Sequence, residues 1–240
     1  FNRIEKTVVR CIIIPNGPNC SLDLLQQTSS HAFRHQLSWL VSMVLNPLLL
    51  PPVMFALIAI GSGQSEAHIS RTILVSIMMY LVIPFGYIIA LLGLGRIESV
   101  EARSRSKREG PLFVGASLMI FAVPAMVFGF ESTREIFLIV SSILALNAVL
   151  IALITTRFKV SIHSYGAAGF FSIPLMLVGL SFLPSMPGGI WFFSLSFFFI
   201  PVVAWARIAS KAHTRDQVKW GILLGLLLPP VEVWLFSLIL

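Results

Sequence analysis

The chain has 240 residues, of which 57% are hydrophobic and only 11% charged, and its formal net charge is +7. Soluble domains carry roughly 45–50% apolar and about 25% charged residues, so a soluble enzyme, a disordered chain and a disulfide-stapled secreted module are excluded; the mean hydropathy of +0.91 agrees. Nucleic acid finds no soluble face on such a chain despite the basic balance. The expected fold class is all-α, a polytopic transmembrane helical bundle.

Residues 1–36 are expected to form an N-terminal extramembrane segment, and 37–240 the transmembrane domain. Cys11 and Cys20 lie outside the apolar runs and say little about redox compartment. Residues 1–15 show no small-residue cleavage pattern, so no cleavable signal peptide is expected.

A helix needs about 20 apolar residues to cross a bilayer. The first candidate runs from Leu37 to Ile60, where Asn46-Pro47 and Pro51-Pro52 predict a kinked or re-entrant span. The second covers about Thr72 to Leu94 and precedes RIESVEARSRSKREGP (96–111), read as a dense polar loop. A third span follows from Leu112 to Phe130, and a fourth from Ile136 to Thr156. Between Val160 and Ala206 lie 47 residues without a formal charge, which Pro184-Ser-Met-Pro-Gly-Gly189 divides into spans near 166–183 and 190–206. The last span is Trp220 to Leu240, with Pro229-Pro230 and one carboxylate, Glu232, read equally as interfacial or as working. The count is seven spans, or six if 37–60 only dips into the bilayer.

Seven spans put 15 of the 17 Lys and Arg on one side and only Arg71 and Arg134 on the other. The positive-inside rule then places the basic side in the cytoplasm.

Three loops on that side carry unusual polar residues. They are Arg103-Ser-Arg105-Ser-Lys107-Arg108-Glu109-Gly110-Pro111, Lys159-Val-Ser161-Ile-His163, and Ala206-Arg207 through His213-Thr214-Arg215-Asp216-Gln217-Val218. Arg and Lys supply fixed positive charge and donors suited to phosphate oxygens. A neutral His can attack phosphorus, and a second His can protonate a leaving oxygen. Phosphoryl transfer asks little more of a protein than positioning and charge.

Order and spacing of these residues resemble the type 2 phosphatidic acid phosphatase superfamily, with its K-x6-RP, PSGH and SR-x5-H-x3-D motifs. Ser161-Ile-His163 corresponds to S-G-H, and Arg207 with His213 to R-x5-H. Arg103 stands at the spacing of the signature Lys, Gly110-Pro111 replaces RP, Ala206 replaces Ser, and Gln217 replaces Asp with Asp216 beside it. A branch of bacterial membrane proteins in the superfamily, with R-x2-R-x2-P, K-[IV]-S-x-H and A-R-x5-H-T-x2-Q-V patterns, is similar throughout about residues 38–225.

That resemblance implies a metal-independent phosphatase in a bacterial inner membrane, without a cofactor, hydrolysing a lipid phosphate or isoprenoid diphosphate. His213 would be the nucleophile forming a phosphohistidine, and His163 the acid for the leaving alcohol. Arg105, Arg108, Lys159, Ser161 and Arg207 would hold the phosphate, and Gln217 would orient His213 without supplying charge. Membrane lipids are the implied partners, and other membrane proteins are possible ones. The alternative is a catalytically degenerate relative that serves as a lipid-binding or structural subunit, a reading that Gln217 and Gly110 favour. Residue by residue, the bland readings are a solvated loop at 103–108, interfacial anchors at Arg157, Lys211, Arg215 and Lys219, and a lipid-facing belt at Phe192, Phe193 and Phe197–Phe199. His31, His35 and His68 lack metal-ligand spacing.

Overall fold

The computed structural model describes residues 33–97, 105–184 and 186–239, and the side chains of 105–109 are outside that description. The N-terminal segment as far as residue 32, with both cysteines, and Arg103 therefore lie outside the described residues. Among the described residues all regular structure is helical, and six helices are long and apolar enough to cross a membrane. The chain is an integral, multi-span helical membrane protein.

Where one kinked span was expected over 37–60, two short helices stand instead: α1 (33–44) and α2 (Leu50–Gly61). At 12 residues, α2 reaches only about 18 Å, well short of the roughly 30 Å hydrocarbon core. The break is set by Asn46, whose side-chain oxygen accepts the Leu48 N–H at 3.0 Å. Pro51-Pro52 do not interrupt anything; they occupy the first turn of α2, where no intrahelical N–H is needed.

Helix α3 (Glu66–Gly93) opens on Ser65, which accepts the His68 N–H at 3.3 Å. Met78–Val82 widen it into a π turn around buried Tyr80. Pro84, four residues after Tyr80, has no N–H with which to close the ordinary α-helical bond there. Helix α4 (Arg105–Val127) begins inside the stretch read as a polar loop, so the backbone at Arg105 and Arg108 is helical. Arg, Lys and Glu are good helix formers, and charge alone does not make a loop.

Helix α5 (Arg134–Arg157) packs antiparallel along α4 after a 3-10 turn at Glu131–Thr133. Helices α6 (Ile162–Gly179) and α7 (Ile190–Ala209) follow, parted by the predicted Pro-Gly break, in which Gly188 and Gly189 have positive φ. Helix α8 (Arg215–Ser237) keeps Pro229 and Pro230 inside it and packs most extensively on α6.

That last contact is close because α8 presents glycines. A Cβ at Gly221 would come within 2.6 Å of the Ser161 carbonyl oxygen, and Gly225 lies against Tyr165 and Ala168. The aromatic core sits between α2, α3 and α5. Phe55 stacks on Tyr80 at 5.4 Å and meets Phe137 edge-on at 5.3 Å. One end of the bundle is tied by Arg71, which donates to the Gly129 carbonyl at 3.1 Å and covers the Phe130 ring at 5.1 Å. The opposite end carries the candidate site.

Glu232 is buried among the helices rather than exposed. It is 7% exposed, and the Asn147 amide nitrogen on α5 donates to its carboxyl.

Candidate functional site

Two connections meet at one end of the bundle, 158–161 between α5 and α6 and 210–214 between α7 and α8. The first is too short to leave the membrane surface far behind. Phe158 is extended, and Ser161 caps α6 by accepting the Ser164 N–H and exchanging a hydroxyl contact of 2.9 Å with Ser164. The second turns sharply at Lys211, whose φ of 55° is left-handed, a conformation that costs a non-glycine residue roughly 1–2 kcal/mol. Backbone bonds then hold the loop: His213 N–H donates to the Arg207 carbonyl at 3.2 Å. Cross-links join the two connections. Ser161 N–H donates to the Gln217 carbonyl at 3.1 Å, and Lys159 Nζ donates to the Ala212 carbonyl at 3.2 Å.

The start of α8 is a capping box. Thr214 accepts the Gln217 N–H at 3.4 Å, and the Gln217 side-chain oxygen accepts the Thr214 N–H at 3.3 Å. That same oxygen, Oε1, lies 3.0 Å from Nδ1 of His213. The two contacts decide the tautomer together. Because the Thr214 N–H can only donate, the amide oxygen must face it, and His213 must then donate through Nδ1. The lone pair of the neutral ring is left on Nε2.

A pocket of about 360 Å³ lies over this turn, lined by Lys159, Ile208, Lys211, Ala212, His213, Thr214 and Gln217. Its lining holds two lysines, one histidine and no carboxylate. Asp216, the neighbour that could have replaced Gln217, points into solvent instead. Two lysines without a facing carboxylate in the lining favour an anion over a cation. Among the described residues no group of three or more His, Cys, Asp or Glu is placed to hold a metal ion.

His163 and Arg207 form a second, deeper part of the arrangement and are not among the pocket-lining residues. The His163 ring, half-buried on the first turn of α6, lies near the Ser42 backbone on α1 and near Arg207. Arg207 is only 3% exposed. Arg105 and Arg108 start α4 at the same end of the bundle, with side chains outside the described residues.

The sequence-predicted residues thus fall into three places: Lys159, His213 and Gln217 at the pocket, Ser161 tied to it by its backbone, and His163 with Arg207 beside Ser42. Lys211, read as an interfacial anchor, lines the pocket. Thr214 and Ser42 were missed. For Thr214 the signal was present as Thr-x-x-Gln at 214–217, a helix start five residues before the expected one. Ser42 carried no local signal.

Comparison with family models, with curated proteins and with solved structures finds no match for this chain. Fold and site together define a class: a multi-span helical membrane protein with a cationic, histidine-bearing pocket at one end of its bundle.

Proposed function

We propose that the chain is a metal-independent membrane phosphohydrolase that splits a lipid phosphate or an isoprenoid diphosphate. One observation carries the reading. The Gln217 oxygen, fixed by the Thr214 N–H, accepts from Nδ1 of His213 at a pocket lined by two lysines. An imidazole so oriented can attack phosphorus.

In the first step His213 Nε2 bonds to phosphorus and the ester P–O bond breaks. His163 delivers the proton that the departing alkoxide needs. Water then attacks the phosphohistidine, His163 takes its proton, and inorganic phosphate leaves; the sum is ester plus water to alcohol plus phosphate. Lys159, Arg207, Arg105, Arg108 and Ser161 are assigned to the phosphate oxygens, where fixed donors and charge lower the barrier. Gln217 is a positioning residue: it orients the ring without stabilising the imidazolium as a carboxylate would. We place the site on the cytoplasmic side of a bacterial inner membrane, where a lipid keeps its tail in the bilayer while its head reaches the pocket.

Phosphate release from lipid phosphates and from an activated aryl phosphate, measured in detergent with EDTA present, tests the reading. His213→Ala abolishes both activities. His163→Ala depresses the alkyl ester far more than the aryl ester, because only the poor leaving group needs its proton. Turnover unchanged in His213→Ala removes that histidine from the chemistry.

A second reading has its own observation. Gln217 completes a capping box, so a purely structural role accounts for it, as expected of a non-catalytic lipid-binding subunit. Absence of hydrolysis by a folded protein favours that reading.

A further inference from the structure

The turn that positions His213 has an unusual occupant. Helix α7 ends at its C-cap Ser210, and the next residue, Lys211, is left-handed with a φ of 55°. That place after a helix usually belongs to glycine, because a Cβ strains the left-handed backbone. The chain follows the rule elsewhere: Gly63, Gly95 and Gly129 come after α2, α3 and α4 with φ of 65°, 66° and 79°. A Cβ at Gly63 or Gly95 would meet no neighbouring atom within 4 Å, so glycine stands there for its φ and not for space. Among the described residues only Ser181 and Lys211 take positive φ with a side chain, and Ser181 follows α6 at the other end of the bundle.

The turn itself uses only the backbone of this residue. Lys211 N–H donates to the Ile208 carbonyl at 3.0 Å, and the reversal brings His213 N–H to the Arg207 carbonyl at 3.2 Å. Glycine would serve both bonds with less strain. The Lys211 side chain is exposed, yet it lines the pocket together with Lys159 and His213. Lys159 reaches the same turn from α5's end, its Nζ donating to the carbonyl of Ala212, the residue after Lys211. An ammonium carries three donors, and the lining holds no carboxylate to take those of Lys211. A strained residue whose side chain the fold does not use points to function.

We propose that Lys211 is a phosphate-binding residue of the pocket: it stands where glycine would fold better because its ammonium, alongside Lys159, pairs with the oxygens of a phosphoryl group facing His213. Its part in turnover rests on the phosphohydrolase reading above; the anion contact is measurable without turnover.

Thermal unfolding of the full chain in detergent is followed in inorganic phosphate and in sodium chloride of equal ionic strength. Phosphate should raise the unfolding temperature of the unmodified protein, as a ligand of the folded state does. Lys211→Gly and Lys211→Asn both suit left-handed backbone, so in chloride they should unfold no lower than the unmodified protein. Both should need about tenfold more phosphate for the same rise, the loss expected of one hydrogen bond from a charged group. Lys211→Arg should keep the effect. Arg215→Gln removes an exposed neighbouring cation that does not line the pocket and should change nothing. In hydrolysis assays the same factor should appear in KM, with kcat little altered. Hexadecylphosphonate, whose C–P bond resists hydrolysis, should stabilise at lower concentration than phosphate, as a lipid headgroup would; equal potency makes free phosphate the ligand and leaves the role of Lys211 standing. No phosphate effect, an equal effect in Lys211→Gly and the unmodified protein, or the same loss in Arg215→Gln overturns the proposal. So does a lower unfolding temperature of both neutral variants in chloride, which would assign the side chain to the turn. Stabilisation that depends on Lys211 with no hydrolysis of any substrate leaves the anion contact standing and removes the phosphohydrolase reading instead.

Discussion

His213 and Gln217 share one hydrogen bond that fixes Nδ1 as a donor, since Nδ1 lies 3.0 Å from an amide oxygen already claimed by the Thr214 N–H. The pair separates orientation from charge. Gln217→Glu keeps both acceptor contacts and adds a carboxylate, so turnover is expected to hold or rise. Gln217→Met keeps the length but offers no such acceptor, and kcat should fall by about 10–100-fold, the usual consequence of losing an orienting partner. Phosphate release and thermal unfolding, measured on both variants, check this. Equal kcat in Gln217→Met and the unmodified protein would show that the contact serves the helix cap alone.

Sidedness has its own test. Arg157, Lys159, Arg207, Lys211 and Arg215 border the site end of the bundle, whereas Arg71 and Arg134 stand at the other. On the reading proposed above, the positive-inside rule assigns the site end to the cytoplasm. With Cys11 and Cys20 replaced by Ser, Lys219→Cys should resist an impermeant maleimide on intact bacterial cells and react once they are permeabilised. Glu131→Cys should react from outside. The reverse pattern inverts the orientation.

Two glycines that look alike in the sequence should respond oppositely. At Gly221 a Cβ would meet the Ser161 carbonyl at 2.6 Å, which is backbone and cannot swing away. Gly221→Ala should therefore force α8 from α6, cost about 1–3 kcal/mol as overpacked contacts do, and disturb the Ser161–Gln217 bond and activity with it. Around Gly110 on α4 there is open space. Gly110→Ala should stabilise by about 0.5–1 kcal/mol through helix propensity. Thermal unfolding in detergent distinguishes the two, and a silent Gly221→Ala would show that α6 and α8 are free to part.

Local chemistry was legible in the sequence, and cross-helix chemistry was not. Apolar run lengths gave the six long helices, and Pro187-Gly-Gly189 gave the α6–α7 break, because both depend on neighbouring residues. Pro51-Pro52 misled because proline tolerated in a first turn and proline breaking a span look the same until the helix start is known. The start of the last span was set at Trp220 although Thr214 and Gln217 already announced a helix start, and that hid the capping box that fixes Gln217, while the resemblance itself implied that Gln217 orients His213. The spacing of Lys159, His163, Arg207 and His213 suggested one shared face, and the Lys159–Ala212 and Ser161–Gln217 bonds do bring two of those loops together. Ser42 was illegible, since its significance lies in a side chain more than a hundred residues away.

Glu232 was equally hidden, its partner Asn147 lying 85 residues earlier in the chain. The Asn147 amide nitrogen donates to the carboxyl and to the Ile143 carbonyl at 2.9 Å, while its own oxygen is buried without a partner. A carboxylate is an unfavourable group at such a position, because burying charge costs far more than burying a paired neutral group. Glu232→Gln places an amide there, which can accept from Asn147 through its oxygen and donate to the orphaned Asn147 oxygen through its nitrogen. That variant should be as stable as the unmodified protein or more so. Asn147→Leu removes the donor and leaves the carboxyl unmatched, which should cost about 1–3 kcal/mol. Unfolding temperatures in detergent compare the two directly. Should Glu232→Gln lose stability as Asn147→Leu does, the paired-amide account is wrong; should it stay stable yet lose phosphate release, the carboxyl takes part in function.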